Sequence, residues 1–575
     1  MNFCSKKSFR GLSWQCDPIT LKEPPLGVPK EVVEILNRRD VFNYKDFFKP
    51  TFKAFMPDPY VLKGMEEAVS FVTNQVKKEQ KICIYGDYDV DGATSTSLML
   101  RYLRKCGYDD SNLMFYIPDR LTEGYGPNIT AIDSIKKLGF ETIIFVDSGT
   151  TAFEPLKYAE DNGINVVVLD HHQAESTLPS KIVVNPKRLD DNSGLDYLCA
   201  AGLVFLFLVG LHRKLREEQF FENREEPKLN DLLGLVALGT VADVVPLVGL
   251  NRAYVKLGLE GMGKIPGIQS LVKYTEYKES KFTPYSCGFV FGPCINAGGR
   301  IDDTKLGTRL LSSDDKKEVE EIAEYLVGLN KERRELQLKM LDEASELALE
   351  KGEKNVIVLY NEEWHPGIVG LAAARIKDNF DKTAIVIGAD GKGSARAVDG
   401  FDVGGAIIEA RNQGLLKSGG GHAAAGGLSI SLDKLVEFEE FMHQKCQNFE
   451  RPPLKVDLSV QCGQLSTKII SSFEMISPFG AGNPEPRIAI LGGVLKKTRV
   501  LKGKHIKAEL ESNSGTQEIM LFNVIDTPLG DTLIFSEGHY VDVFGKAKLN
   551  EYAGRITVQI FPEDIMIGEP VHTES

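Results

Sequence analysis

The chain has nine scattered cysteines and no Cys-x-x-Cys pair among them. The spacing excludes a zinc knuckle, and the odd count predicts reduced thiols in a cytoplasm rather than a disulfide frame. No apolar stretch reaches the roughly 18 residues of a membrane span. The longest, Cys199 to Leu211, has the length of a buried helix. Met1 to Arg10 hold no apolar signal core, which predicts no secretory leader. A basic surplus is also missing: 68 Lys and Arg against 81 Asp and Glu leave a net charge of −13. That excludes a surface coated in nonspecific positive charge, though not a local nucleic-acid channel. Internal repeats and low-complexity tracts are absent. With 42% hydrophobic and 26% charged residues over 575 positions, the chain has a soluble globular composition. It is too long for one core and suggests about three to four domains.

What is present is carboxylate in an unusual arrangement. The apolar run Ile82-Cys83-Ile84-Tyr85 reads as a buried strand and leads into Gly86-Asp87-Tyr88-Asp89-Val90-Asp91-Gly92. Alternating carboxylates this close together repel unless a cation holds them, and carboxylate oxygens are hard ligands for divalent metals. For this segment alone an exposed acidic turn is an equal alternative. Three more apolar runs end in similar chemistry. Thr142–Val146 leads into Asp147-Ser148-Gly149, Asn165–Leu169 into Asp170-His171-His172, and Leu235–Ala242 into Asp243. The first two read as parallel strands of α/β units. The third is either a buried helix or a strand, since periodicity does not separate them in so apolar a run. Ligands of open α/β sheets bind outside the carboxyl ends of the strands. Asp89, Asp91, Asp147, His171 and Asp243 are therefore expected to converge at one rim, in a number that suits two metals sharing a bridging carboxylate.

Residues 1–55 read as an extension packed on the first large domain, and 56–312 as a mostly parallel α/β domain. From Ser313 the spacing of Ile322, Leu326, Leu329, Leu336 and Met340 predicts a helix over 313–350, opened by Asp314 and Asp315. It either joins two lobes or is an ordinary amphipathic helix within one. A second α/β unit covers 351–450, and short β-type runs over 451–575 suggest a small barrel or sandwich. Within the second unit, Gly419-Gly420-Gly421-His422-Ala423-Ala424-Ala425-Gly426-Gly427 is almost bare backbone that can approach a phosphate or sugar, or simply pack tightly. Arg396, with Ser394 beside it, has the chemistry of a phosphate fork. Lys496, Lys497, Arg499, Lys502, Lys504, His505 and Lys507 form a local basic run in the last segment, either a nucleic-acid groove or a solvated face. Phe473, Phe479, Phe522, Phe544 and Tyr552 are its available aromatics, most of them expected in the core.

Taken together, Asp87-Tyr-Asp89-Val-Asp91-Gly, Asp147-Ser-Gly149, Asp170-His171-His172 and Thr240-Val-Ala-Asp243 resemble the motifs of the DHH phosphoesterase superfamily. The Gly419–Gly427 run resembles the motif of the associated DHHA1 domain. Ile117–Arg120, Glu123–Gly126, Asn296–Arg300, Trp364–Gly370 and Pro478–Pro486 narrow the resemblance to the bacterial RecJ family of single-stranded-DNA-specific exonucleases. It runs from about residue 55 to the C-terminus. Val90, Ser148 and Gly298 depart from the family's commoner residues without touching the ligand set, and an additional C-terminal domain carried by some members is expected to be absent.

The resemblance implies two α/β lobes joined by a long helix, followed by an OB-like barrel. It makes Asp89, Asp91, Asp147, His171 and Asp243 metal ligands, with Asp147 bridging and Asp87 a weaker ligand at the edge. His172 would contact the scissile phosphate, in a catalytic set of His172, Asp147, Asp89 and Asp91. Arg120, Ser394 and Arg396 would hold a terminal 5′ phosphate. His422, Gly420, Gly421, Arg300 and Asn296 would line the nucleotide side of the cleft. The implied cofactors are two divalent ions, Mn²⁺ preferred and Mg²⁺ the alternative. The implied activity is 5′-to-3′ hydrolysis of single-stranded DNA to 5′-mononucleotides, in repair and recombination. A RecQ-type helicase and a single-strand-binding protein are implied partners, with no membrane. The rival readings are a phosphodiesterase acting on short oligonucleotides or cyclic dinucleotides, and a non-catalytic single-strand-binding scaffold.

Overall fold

The computed structural model describes residues 8–19, 24–119, 122–124, 126–352, 354–447, 449–525, 527–552 and 554–570. The N-terminal segment corrects the sequence expectation. It packs mainly on the C-terminal lobe, not the first. Trp14–Gln15 (β1) pairs in parallel with Leu454–Lys455 (β12), and Trp14 Nε1 donates to buried Asp564 at 3.0 Å. Helix Lys30–Arg38 repeats its apolar residues at three and four positions, so Val32, Ile35 and Leu36 share one face and enter the C-terminal core. Phe52, Phe55 and Met56, at the end of the segment, pack against the first lobe.

In the first lobe β2 (Ile82–Tyr85), β3 (Leu113–Tyr116), β4 (Thr142–Val146), β5 (Asn165–Leu169) and β6 (Val183–Val184) form a parallel sheet ordered β3-β2-β4-β5-β6. Its central strands lack polar alternation because both faces are covered. Cys83, Tyr85, Ile143, Phe145, Val166 and Val168 meet helices 129–137 and 153–161. Ile82, Ile84, Ile144, Val146, Val167 and Leu169 face a larger helical layer. The chain leaves β2 towards β3 and returns on its other side as β4, so the crevice at the carboxyl ends of β2 and β4 is the topological switch point.

The apolar run before Asp243 is a helix, Leu233–Ala242, buried on every side from Leu233 to Thr240. A Cβ added at Gly239 would lie 2.4 Å from Thr94 Oγ1 and 2.8 Å from Asp91 Oδ1. Glycine there lets this helix press directly against the acid-bearing helix Val90–Lys105.

Helix Lys316–Glu350 is 35 residues long, about 52 Å. Asp315 caps it by accepting from the backbone N–H of Lys317 and Glu318. Its first half buries Val319, Ile322, Ala323 and Leu326 in the first lobe, and its second half buries Met340, Ala344 and Ala348 in the next, so it joins the two. The second lobe holds β7 (Val356–Tyr360), β8 (Thr383–Ile387), β9 (Lys392–Arg396), β10 (Ser418–His422) and β11 (Ala425–Ser429), ordered β10-β11-β9-β8-β7, with only β7 and β8 parallel. The glycine-rich run is thus the edge hairpin β10–β11.

In the C-terminal lobe β14 (Ile488–Leu501), β15 (His505–Ser512), β16 (Gly515–Leu521), β18 (Arg555–Pro570) and β17 (His539–Tyr552) pair in that order. β17 returns to β14 and closes a barrel, beside which β13 (Leu458–Gln461) adds to β14. Arg252, 2% exposed, ties the first lobe to this one: its guanidinium donates to the carbonyls of Phe47, Ile476 and Ser477 at 3.0, 2.9 and 2.7 Å. Among the described residues no helix is long and apolar enough to cross a membrane.

Candidate metal centre

The switch-point crevice collects the acids. Asp87 follows β2, and Asp89 caps helix Val90–Lys105 by accepting from Gly92 N–H at 3.0 Å. Asp91 lies in that helix's first turn, where the macrodipole favours carboxylates. Its two oxygens also accept from Ala200 and Ala201 N–H, at 2.7 and 2.9 Å, at the start of helix Ala200–Glu217. Asp147 ends β4 in left-handed backbone, φ 58°, and Val244, just after Asp243, has φ 60°. Strained backbone on two sides of one crevice is a mark of a functional site.

Side-chain atoms of Asp87, Asp89 and Asp147 lie within 4.8 Å of one another, as do those of Asp91, His171 and Asp243, and those of Asp147, His171 and His172. His171 Nε2 is 3.2 Å from Asp147 Oδ1 and 3.8 Å from Asp91 Oδ2, while its Nδ1 is 3.7 Å from Asp243 Oδ2. All the acids and histidines expected at this rim are therefore brought together. Asp87 is as much part of the cluster as Asp89, being 5% exposed and grouped with Asp147.

The electrostatics favour a cation. Burial, then the charge of Asp89, raises Asp91 to about 7. Burial, then Asp91 and Asp89, raises Asp243 to about 8. Burial and the neighbouring carboxylates push Asp147 well above its ordinary range. Burial, reinforced by the charge on His172, lowers His171 to about 3, so it offers these acids a neutral ring. Its buried Nδ1 has no hydrogen-bond partner. Carboxylate oxygens around a neutral imidazole nitrogen form a donor set that fits divalent ions, which would hold the acids ionised.

His172 is built differently. Its Nδ1 donates to Asp170 Oδ1 at 2.7 Å, and against the effect of burial this bond raises the ring to about 9, keeping it charged at neutral pH. Asp170, held ionised despite burial by that same bond, also accepts from the backbone N–H of Thr150, His171 and His172. Asn185 Nδ2 donates to Thr150 Oγ1 and to the His172 carbonyl, both at 2.8 Å. Sequence reasoning assigned no role to Asp170 or Asn185. The signal for Asp170 was its place between a strand end and two histidines; Asn185 left none.

Arg300 Nη1 donates to the Gly367 carbonyl at 2.9 Å, joining helix Gly292–Ile301, which carries Asn296 and Arg300, to the second lobe. Asn296, like Arg300, is half-buried. Arg396 Nη1 donates to Ser394 Oγ at 2.8 Å, and a Cβ at Gly370, near the start of helix Val369–Phe380, would lie 3.2 Å from Arg396 Nη2. The glycines divide into two kinds. A Cβ at Gly419 or Gly426 would strike Ile407, and one at Gly421 would strike the Ala425 carbonyl. Gly420 and Gly427, paired across the hairpin, have open space above them beside exposed His422. Arg120 lies outside the described residues. On the barrel, Phe473 and Phe544 are core and Phe479 packs partly buried against it. Phe522 and Tyr552 are exposed, Phe522 edge-on to His505 at 5.2 Å. Lys497 and Lys507 of the basic run pair with Glu509 and Glu518.

Comparison with known proteins agrees with this architecture. The DHH family N-terminal domain matches residues 81–240, the DHHA1 domain 353–448 and the RecJ OB domain 456–564. The single-stranded-DNA-specific exonuclease RecJ of Bacillus subtilis is 33% identical over 560 residues, spanning 95% of this chain and 69% of that protein. Its counterpart in Salmonella typhimurium is 32% identical over 528 residues, spanning 88% and 90%. The crystal structure of RecJ in complex with Mn²⁺ from Thermus thermophilus matches with a TM-score of 0.80 at 26% identity, over 97% of this chain and 80% of that one. The chain belongs to the RecJ family.

Proposed function

We propose that this protein hydrolyses single-stranded DNA from the 5′ end and releases 5′-mononucleotides. The observation that carries the reading is the meeting, at one switch point, of a buried carboxylate cluster with a histidine hydrogen-bonded to its own buried aspartate. Asp87, Asp89 and Asp147 would hold one divalent ion, and Asp91, His171 and Asp243 a second, with Asp147 near enough to His171 to bridge the two sets. Ions held there would supply a water of lowered pKa and charge to neutralise the scissile phosphate. Mn²⁺ is favoured over Mg²⁺ because an imidazole nitrogen belongs to the set; the Thermus thermophilus relative was crystallised with each of the two ions.

The protein's own groups supply the rest. Asp91, tied to two backbone N–H groups, fixes the angle of its carboxylate. His172, charged and oriented by Asp170, places an N–H donor where negative charge develops on phosphate. Arg396 and Ser394 hold the 5′ phosphate, and polarity follows, because a strand anchored by that end presents its first phosphodiester to the acids. The bare Gly420–Gly427 pair lets a sugar-phosphate approach backbone directly. Arg300, Asn296 and His422 complete the wall. A helicase and a single-strand-binding protein as partners rest on the family resemblance alone.

The test is digestion of end-labelled single and double strands with Mn²⁺ or Mg²⁺. Mononucleotides released from the 5′ end of single strands are expected. Cleavage confined to dinucleotides, or none at all, would reject the reading. Arg396→Ala should erase the preference for 5′-phosphate over 5′-hydroxyl ends.

A further inference from the structure

Tyr285 and Phe289 are an unusual pair to leave in water. They are 62% and 64% exposed, with rings stacked at 5.1 Å and 21°. The turn carrying Phe289 is the π-helix Ser286–Phe291, a rare conformation found frequently at functional sites. It is not a loose loop. Ser286, Cys287 and Phe291 are buried, Phe291 packs on Tyr277 at 5.4 Å, and Ser286 Oγ donates to the Thr283 carbonyl at 2.8 Å. The rest of the turn is anchored, and the two rings are presented outward.

The turn also abuts both arms of the acid cluster. A Cβ at Gly288 would lie 3.8 Å from Val241 Cγ1, two residues before Asp243. A Cβ at Gly292 would lie 3.8 Å from Val90 Cγ2, the residue between Asp89 and Asp91. The π-helical turn that carries Phe289 therefore packs against Val241, two residues before Asp243, and its C-terminal end lies next to Val90, between Asp89 and Asp91. Val244 and Val248, 70% and 41% exposed, follow Asp243 in the chain.

We propose that Tyr285 and Phe289 form a stacking platform for one unpaired nucleobase of the strand whose backbone lies at the acid cluster. The inference rests on the single-strand reading above and adds a positioning site to it. An offset stack of two rings leaves an outer π-face for a third, and any base can fill it, which suits an enzyme indifferent to sequence. A base within duplex already has both faces covered by its neighbours. The platform thus favours single strands by chemistry as well as by shape. It lies on the first lobe, apart from the barrel and the 5′-phosphate grip.

The test uses the full chain and 5′-phosphorylated oligothymidylate strands, each with one abasic position moved stepwise from the 5′ end. Binding is read by fluorescence anisotropy in EDTA, and digestion separately with Mn²⁺. One abasic position should weaken binding by the parent protein about tenfold or more. The double variant Tyr285→Ala/Phe289→Ala should bind the intact strand as weakly, lose nothing further at that abasic position, and raise KM more than it lowers kcat. Tyr285→Phe and Phe289→Tyr should stay close to the parent. Equal tolerance of abasic sites at every position in the parent, or an unchanged abasic penalty in the double variant, would overturn the platform. Strands bound through the rings but left uncut would sink the exonuclease reading instead.

Discussion

At the rim of the first lobe, Asp91 and Asp147 are 1% and 2% exposed, the first held by two backbone N–H groups and the second set in left-handed backbone. At the edge of the second, Gly420 and Gly427 have no side chain and open space above them. The first region concentrates charge and spends burial and strain to hold it. The second removes bulk so that something else can come close. Groups that must hold ions at set distances need a rigid scaffold around each oxygen, because a carboxylate displaced by an ångström no longer shares an ion with its neighbour. A surface that must touch a sugar-phosphate of any sequence needs only backbone and room.

Perturbing each region in turn sharpens that contrast. Asp147→Ala should cost the most, lowering kcat on the order of 10³-fold or more. Its thermal midpoint should hold or rise, because one of several mutually repelling buried carboxylates is gone; near-normal turnover with Mn²⁺ would dismiss the shared-ligand role. Asp170→Asn should lower kcat about 10–100-fold, as expected for a group that orients another. It should also change the pH profile. Asp170 raises His172 to about 9, so without that charge the ring's pKa falls towards its ordinary 6.5. Activity that needs the charged ring is then lost between pH 7 and 9 and partly recovered near pH 6. A profile parallel to the parent's would leave Asp170 with a structural role only.

The second region should fail in a different parameter. A Cβ at Gly404 would lie 2.7 Å from the backbone of Gly421 and His422, atoms that cannot rotate away. Gly404→Ala should displace the hairpin and raise KM for a long strand about tenfold, with a smaller change in kcat. The reverse pattern would place the hairpin among the chemical groups.

The smallest effect is expected at Asp381, which pairs with Arg10 of the N-terminal segment and Arg451 before the barrel. Against burial, Arg451 and Arg10 hold its carboxyl below the usual 3.8. A depressed carboxylate stabilises the fold above its unfolded pKa and loses that contribution as pH falls through the folded value. Asp381→Asn should therefore cost about 1 kcal/mol at most at pH 7. The gap in thermal midpoint from the parent should close below about pH 4. A gap that persists there would assign the loss to packing.

Much of the metal centre was legible because its signals are local. An apolar run that stops at glycine and acid announces a strand end, and four such stops announce a rim. Helix Lys316–Glu350 was equally plain as a helix from its long apolar stripe, while its role in joining two lobes was left open until the packing showed it. Other features depended on partners far away in the chain. Leu235–Ala242 was ambiguous because full burial erases periodicity. Most of the described part of residues 1–55 was expected on the wrong lobe, because an amphipathic helix shows which face it buries and not against what. Gly419 and Gly420 look identical in the chain, yet one packs on Ile407 and the other is bare. Nothing in the sequence around Tyr285 and Phe289 distinguishes them from core aromatics.

By itself the sequence determined which residues carry charge, where strands end in acid, and that the chain divides into α/β lobes and a barrel. These follow from chemistry within a few neighbouring residues. Only the tertiary structure decided that Asp87 sits as deep in the cluster as Asp89, that Asp170 bonds His172 and raises its pKa, and that Tyr285 and Phe289 stack in the open on a turn packed against Val241. Each depends on distances between groups remote in the chain, and in a buried, low-dielectric crevice those distances set both the charge a group carries and what it can hold.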